Sequence, residues 1–248
     1  HLDLLLNDRM AWMKASVRGI RKVMESHTYD KRLEQVLSRV GIEYKPASLP
    51  LISLLVRIGC YDNLSPLAET ILKQTYRPKN IILLSEKELD NEIVKQFSER
   101  LAPTRVLNMV TLQDHLGNRI LESAPAGYYA FWDINNWYGA DYLKDYALAV
   151  NYSKASCLGK SNHFVFGNEK IREENNEKHF ILSDRVPIST LLVKNSRLLS
   201  VDMKLINDPD GMYRSFGSDI FSADPLNFVK NGAATNIPGD IKMETFFG

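Results

Sequence analysis

Asp133 and Asn135 are the residues of this chain whose types and spacing best suit them to chemistry. They stand two apart in Asp133-Ile134-Asn135-Asn136, a polar tetrapeptide after the bulky apolar run Tyr129-Ala130-Phe131-Trp132. Such a run reads as a buried strand, and the tetrapeptide stops it with turn-forming side chains. In open α/β sheets ligands sit outside the carboxyl ends of the strands, so a carboxylate and an amide oxygen at this exit would project into that crevice. Oxygen donors of this kind are what hard cations take. The same residues also suit an ordinary strand-to-helix loop in which Asp or Asn caps the next helix. A second acidic pair, Asp208 and Asp210, lies in Asp208-Pro209-Asp210-Gly211, a turn signal in which Asp commonly serves the backbone. His163, in Gly159-Lys160-Ser161-Asn162-His163, is a lone histidine after a short strand, a setting that usually makes it a hydrogen-bonded structural residue.

The elements that must position these groups alternate. Leu51 to Val56 reads as a strand, Leu64 to Gln74 as a helix and Asn80 to Leu84 as a second strand, an order that argues a right-handed parallel crossover. Leu89 to Leu101, Leu116 to Ala124 and Asp141 to Tyr152 are expected helices; Thr104 to Val110, Tyr128 to Trp132, Ala155 to Gly159 and Ser189 to Lys194 are expected strands. This alternation places the region in the α/β class. The charged stretch from Asn168 to Lys178 is expected as a solvated loop or hairpin, and the end from Asn231 as loop. In front of Lys45-Pro46-Ala47-Ser48-Leu49-Pro50, a proline-bearing boundary, apolar residues recur at helical spacing from Leu5 to Met24. Two helices are expected there, the second from Tyr29 to Val40 with Gly41 as its stop. The division is therefore 1–45, a helical segment, and 50–248, the α/β domain.

Composition sets the class of partner. With 248 residues, 44% hydrophobic and 25% charged, the chain can build a substantial core, and a net charge of +1 gives no general pull toward nucleic acid or anionic lipid. No apolar run approaches the length of a bilayer span. Two cysteines, Cys60 and Cys157, make neither a disulfide framework nor a metal pattern, so the expected setting is cytoplasmic and reducing. The chain opens on His1, and an excised or processed piece is the expectation.

Several segments, in order, resemble the family 2 glycosyltransferases. Leu51-Ile-Ser-Leu-Leu-Val56, Ala68-Glu-Thr-Ile-Leu-Lys-Gln-Thr-Tyr76 and Asn80-Ile-Ile-Leu-Leu84 are similar to that family's first strand, helix and second strand. Leu116-Gly-Asn118 and Ala126-Gly-Tyr-Tyr-Ala-Phe-Trp-Asp133 resemble the helix and strand leading to its Asp-x-Asp signature. Trp137-Tyr-Gly139-Ala-Asp-Tyr-Leu143, Gly159-Lys160-Ser-Asn-His163 and Phe221-Ser-Ala-Asp224-Pro-Leu-Asn-Phe-Val229 look like a bacterial branch of it. The resemblance implies a GT-A fold, with a mostly parallel central sheet flanked by helices and preceded by the helical segment. His27-Thr-Tyr29-Asp-Lys-Arg32 through Leu37 looks like the C-terminal tail of GT-B glycosyltransferases, which implies a preceding glycosyltransferase domain in the natural chain; two helices packed on the α/β domain are the alternative.

The implied activity is transfer of a sugar from a UDP- or GDP-type donor to a glycan or lipid-linked glycan, with inversion, in bacterial surface-polysaccharide assembly, cytoplasmic or peripheral to the inner membrane. The alternative is an inactive module of the same fold that binds a nucleotide, a glycan or another domain. By motif position, Asp133 and Asn135 would hold Mg or Mn, although Asn135 brings no negative charge. Arg57 and Lys160 are fixed cations that could replace the ion at the phosphates. Cys60 or Tyr61 would cover the base, Ser85 or Glu86 would take its edge, and Gly117, Asn118 and His163 complete the donor-binding set. Asp208, then Asp210, would be the general base. Trp132, Trp137, Tyr138 and Tyr142 could stack on sugars, though their strand and helix positions favour core packing.

Overall fold

A computed structural model describes residues 2–45, 48–59, 64–111, 115–175, 179–208, 210–214, 219–233 and 243. The chain divides into two units, His1–Leu49 with Met243–Gly248, and Pro50–Lys242. In the first unit α1 (Leu2–Asn7), α2 (Arg9–Ser26) and α3 (Tyr29–Arg39) make three helices where two were expected. The extra break is at Asp8, whose Oδ1 accepts from the Met10 and Ala11 N–H groups at 2.9 and 3.1 Å and so starts a new helix. Thr28 starts α3 in the same way, through Lys31 N–H at 3.3 Å. Gly41, with φ +76°, lies just beyond the end of α3.

The second unit opens with β1 (Ile52–Gly59), α4 (Ser65–Leu72), β2 (Asn80–Ser85), α5 (Asn91–Leu101), β3 (Arg105–Val110), α6 (Leu116–Ser123) and β4 (Tyr128–Asp133). There follow β5 (Trp137–Tyr138), α7 (Tyr142–Ser153), β6 (Cys157–Gly159), β7 (His163–Gly167), β8 (Lys170–Glu174), β9 (Ile181–Ser183), β10 (Arg185–Pro187), β11 (Leu192–Lys194), β12 (Met212–Arg214), β13 (Ile220–Ser222) and β14 (Phe228–Lys230). Among the described residues an eight-stranded sheet has the order β3-β2-β1-β4-β11-β6-β13-β9. The pairs among β3, β2, β1 and β4 are all parallel. Past β4 the sheet is mixed, because β11 runs antiparallel to both β4 and β6 while β6 and β13 are parallel. The architecture is α/β, a large central sheet flanked by helices.

Buried parallel strands read as continuous apolar runs, and Ile52, Leu54, Val56, Ile58 and Ile81 to Leu84 are all fully buried. Leu55, Ile82, Tyr129, Phe131, Ile120 and Val193 belong to one core cluster that crosses from the parallel half to β11. The Gln-Thr-Tyr segment after α4 has a positioning task. Buried Gln74 donates to Gly139 O at 2.7 Å and accepts from Leu143 N–H at 3.2 Å, which fixes the start of α7.

The expected strand from Ser189 to Lys194 forms only in its second half. Ile188–Thr190 forms a 3-10 turn after Pro187, closed by Thr190 Oγ1 donating to Pro187 O at 2.9 Å, and only Leu192–Lys194 pairs in the sheet. The described part of the charged stretch, 168–175, belongs to a hairpin of β7 and β8 that turns at Asn168 and Glu169 with φ of 51° and 59°. Two residues in the left-handed region suit a tight hairpin turn.

Candidate functional site

The parallel half of the sheet brings the exits of its strands to one edge. Arg57 on β1 is in register with Asp133 at the end of β4 and with Leu84 near the end of β2. Glu86 follows β2 directly and is exposed. At the exit of β3, Thr111 N–H donates to Ser85 O at 2.8 Å. Thr111, Gly117 and Asn118 line a cleft of about 370 Å³ whose other wall is the 3-10 helix Met203–Asn207. Lys204 and Asn207 line it as well. The buried Thr111 hydroxyl has no hydrogen-bond partner among the described residues.

Asp133 is held from every side. Arg57 Nη1 donates to its Oδ2 at 2.6 Å, with the two side chains 17% and 7% exposed. Its Oδ1 accepts from the Asn135 backbone N–H at 2.8 Å and from Asn135 Nδ2 at 2.9 Å. Its own N–H donates to the Tyr138 hydroxyl at 2.8 Å, which in turn donates to Ser189 O at 3.1 Å. Burial pushes the Tyr138 hydroxyl well above the ordinary phenol range, so it stays protonated and can both accept and donate. Its ring stacks on Trp132 with centroids 4.0 Å apart. Tyr138→Phe keeps the stack but strips the buried Asp133 N–H of its acceptor. The expected cost is about 1–3 kcal/mol in urea unfolding, and a loss below 0.5 kcal/mol, the ordinary scatter of about that size for neutral substitutions, would show that the bridge contributes nothing.

The segment after β14 ties this loop to the acidic turn. Asn231 N–H donates to Asn136 Oδ1 at 2.9 Å, and Ala233 N–H donates to Asn135 O at 3.0 Å. One residue earlier, Lys230 Nζ pairs with Asp210 Oδ1. Asp208 ends the 3-10 helix Met203–Asn207, is exposed, and accepts from Asp210 N–H on Oδ1 at 2.9 Å. Asp208 therefore lies next to Asn207 on the wall of the cleft, and Asp210 is linked through Lys230 to the loop after β4.

Solved structures of S. aureus TarS are similar to this chain at low identity. The TarS structure matches at 14% identity with a TM-score of 0.47 over 72% of this chain and 36% of that one. Residues 1–349 of TarS match at 14% identity as the UDP complex, with a TM-score of 0.46 over 72% and 60%, and as the UDP-GlcNAc complex, with 0.47 over 72% and 58%. This chain thus spans 36% to 60% of the length of those structures. No family model and no curated protein sequence matches it.

The remaining expected donor contacts divide. Cys60 and Tyr61 lie outside the described residues. Lys160, expected as a cation for the phosphates, is fully buried instead: Nζ donates to Asp224 O, sits 3.4 Å from Asp224 Oδ2, and lies 5.4 and 5.5 Å from the Tyr142 and Tyr146 rings. Its charge serves Asp224, because an ammonium without water needs a counter-ion. His163 is also buried, with Nδ1 3.3 Å from Ser161 O and Nε2 3.8 Å from Glu174. Burial lowers its pKa from the ordinary histidine value, as suits a structural imidazole.

Mg or Mn does not fit the residues present. Both Asp133 oxygens already accept from N–H donors, and Asn135 turns its amide nitrogen toward the carboxylate. A dication there would have to displace a guanidinium. Among the described residues no three His, Cys, Asp or Glu side chains gather in a metal-holding arrangement, and no helix is long and apolar enough to cross a membrane. Sequence reasoning gave no role to Thr111 or Lys230, and it named Tyr138 and Asp224 within their segments without the contacts they make to Asp133 and Lys160.

Proposed function

We propose that residues 50–248 form a GT-A glycosyltransferase domain that moves a sugar from a nucleotide diphosphate donor to a hydroxyl of a glycan or lipid-linked glycan, with inversion, in surface-polysaccharide assembly. The supporting observation is the gathering of Arg57, Glu86, Asp133, Gly117 and Asn118 at one carboxyl edge of the parallel strands, with the Asp208–Gly211 turn beside the cleft. This is the place where open α/β sheets bind ligands, and the motif resemblance points the same way. In this reading the acceptor oxygen bonds to the anomeric carbon as the bond from that carbon to the phosphate oxygen breaks. Asp208 takes the hydroxyl proton, and the nucleotide diphosphate leaves with the electron pair. Residues 1–45 belong, on the same reading, to the tail of a preceding glycosyltransferase domain.

Asn207, standing where the family often has the first acid of its pair, favours a second reading, a nucleotide- or glycan-binding module without turnover. Calorimetric titration of UDP- and GDP-sugars, followed by donor hydrolysis, separates the two. Binding with slow hydrolysis is the expected result, binding without hydrolysis supports the module, and no binding of any nucleotide sugar removes the transferase and leaves a glycan-binding module.

A further inference from the structure

We infer that Arg57 is the resident cation of the Asp133 site: its guanidinium, fixed by Asp133, stands where a divalent ion would and offers its remaining N–H groups to a diphosphate. The inference rests on the nucleotide-sugar reading for the identity of the ligand, and on geometry for the rest. A guanidinium carries five N–H donors in a rigid fork. The Asp133 contact is made through Nη1, and the guanidinium has no other partner among the described residues. The side chain is 17% exposed, near the carboxyl end of β1 and in register with Asp133.

Asp133 acts here as a positioning residue. Its Oδ2 holds the fork and its Oδ1 is occupied by two Asn135 donors, so the loop after β4 and the Arg57 head are one rigid polar unit. That unit also explains the amides in the loop. Asn135 donates to Asp133, whereas an acid at the same position could only repel it, and Asn136 accepts from Asn231 N–H. The substitutions that weaken a dication site are those that let the carboxylate be satisfied from within. A fixed guanidinium next to a leaving diphosphate stabilises its charge through N–H donors that need no reorganisation.

The test uses the full chain and three probes. Manganese alone is titrated by electron paramagnetic resonance, inorganic pyrophosphate and UDP by calorimetry in EDTA. Wild type is expected to leave the free manganese signal unchanged and to bind pyrophosphate in EDTA. Arg57→Gln should weaken pyrophosphate by about tenfold or more, as loss of a charge-assisted contact does. Because that variant leaves Asp133 buried without its cation, Arg57→Gln combined with Asp133→Asn removes both charges and should show the same loss in a folded protein. Arg57→Lys should recover only part of it, since an ammonium is a point charge. Stoichiometric manganese uptake by wild type that Asp133→Asn abolishes overturns the inference, as does unaltered pyrophosphate affinity in the double variant. Arg57-dependent pyrophosphate binding without UDP binding keeps the inference and removes the nucleotide reading. Absence of both in wild type overturns both.

Discussion

Asp208→Asn is expected to lower turnover by about 10²–10⁴-fold while leaving donor affinity within about twofold, the range a positioned general base supplies. The substitution isolates the proton-accepting role. Asp208 Oδ1 accepts from Asp210 N–H at 2.9 Å, and an asparagine keeps an oxygen for that bond. The turn should survive, with stability unchanged within about 0.5 kcal/mol, as is usual at exposed positions. What disappears is the charge and basicity of the other oxygen. Asp210 is the control, because its carboxylate is committed to Lys230. Asp210→Asn should disturb that pair and change turnover only a few-fold. Steady-state kinetics for both variants decides the assignment: a fall in kcat at constant KM for Asp208→Asn supports it. Full turnover in Asp208→Asn removes Asp208 as the base, and a dead Asp210→Asn would transfer the role there.

The parallel half of the fold was legible because each element carries its own local signal. Ile81 to Leu84 is a continuous buried run, and α5 opens on an Asp90 cap that accepts from Glu92 N–H at 2.7 Å. The strands beyond β4 are mostly three residues long and offer no periodicity to read, so of the sheet beyond β4 only β6 and β11 were expected as strands, without their directions. The hydrogen bond from Thr190 Oγ1 to Pro187 O holds Ile188–Thr190 in a turn, so the expected strand starts only at Leu192. The site divides along the same line. Asp133 was legible from its place at the end of a buried run. Its pairing with Arg57, 76 residues away, depends on which strands lie side by side. Nothing near Asp133 announces that its carboxylate is already satisfied. Lys160 was misjudged for a related reason: its partner Asp224 is 64 residues further on, and a charged residue after a short strand reads as exposed until the counter-ion is known.

That buried pair carries the largest stability effect expected in the chain. Lys160→Met leaves Asp224, 4% exposed, without its ammonium, and a buried charge stripped of its partner costs about 3–5 kcal/mol. For a domain of this size that corresponds to a fall in Tm of roughly 6–20 °C. Asp224 keeps one bond, from Leu226 N–H to Oδ1 at 2.9 Å, which an asparagine could also accept. Adding Asp224→Asn to Lys160→Met should therefore recover part of the loss, because no charge remains to be desolvated. Thermal unfolding of both single variants and the double variant measures the coupling, and a loss below about 1 kcal/mol in Lys160→Met would place the pair in the class of weak ion pairs. The effect should also reach the candidate site. The turn after Asp224 leads through Asn227, whose Nδ2 donates to Asp145 at 2.9 Å, into β14 and on to the Asn231 bond that holds Asn136. Loosening the turn frees the loop beside Asp133, so ligand affinity should fall in Lys160→Met and return in step with stability in the double variant. Affinity that stays low while stability returns would instead mean that the lysine itself reaches the ligand.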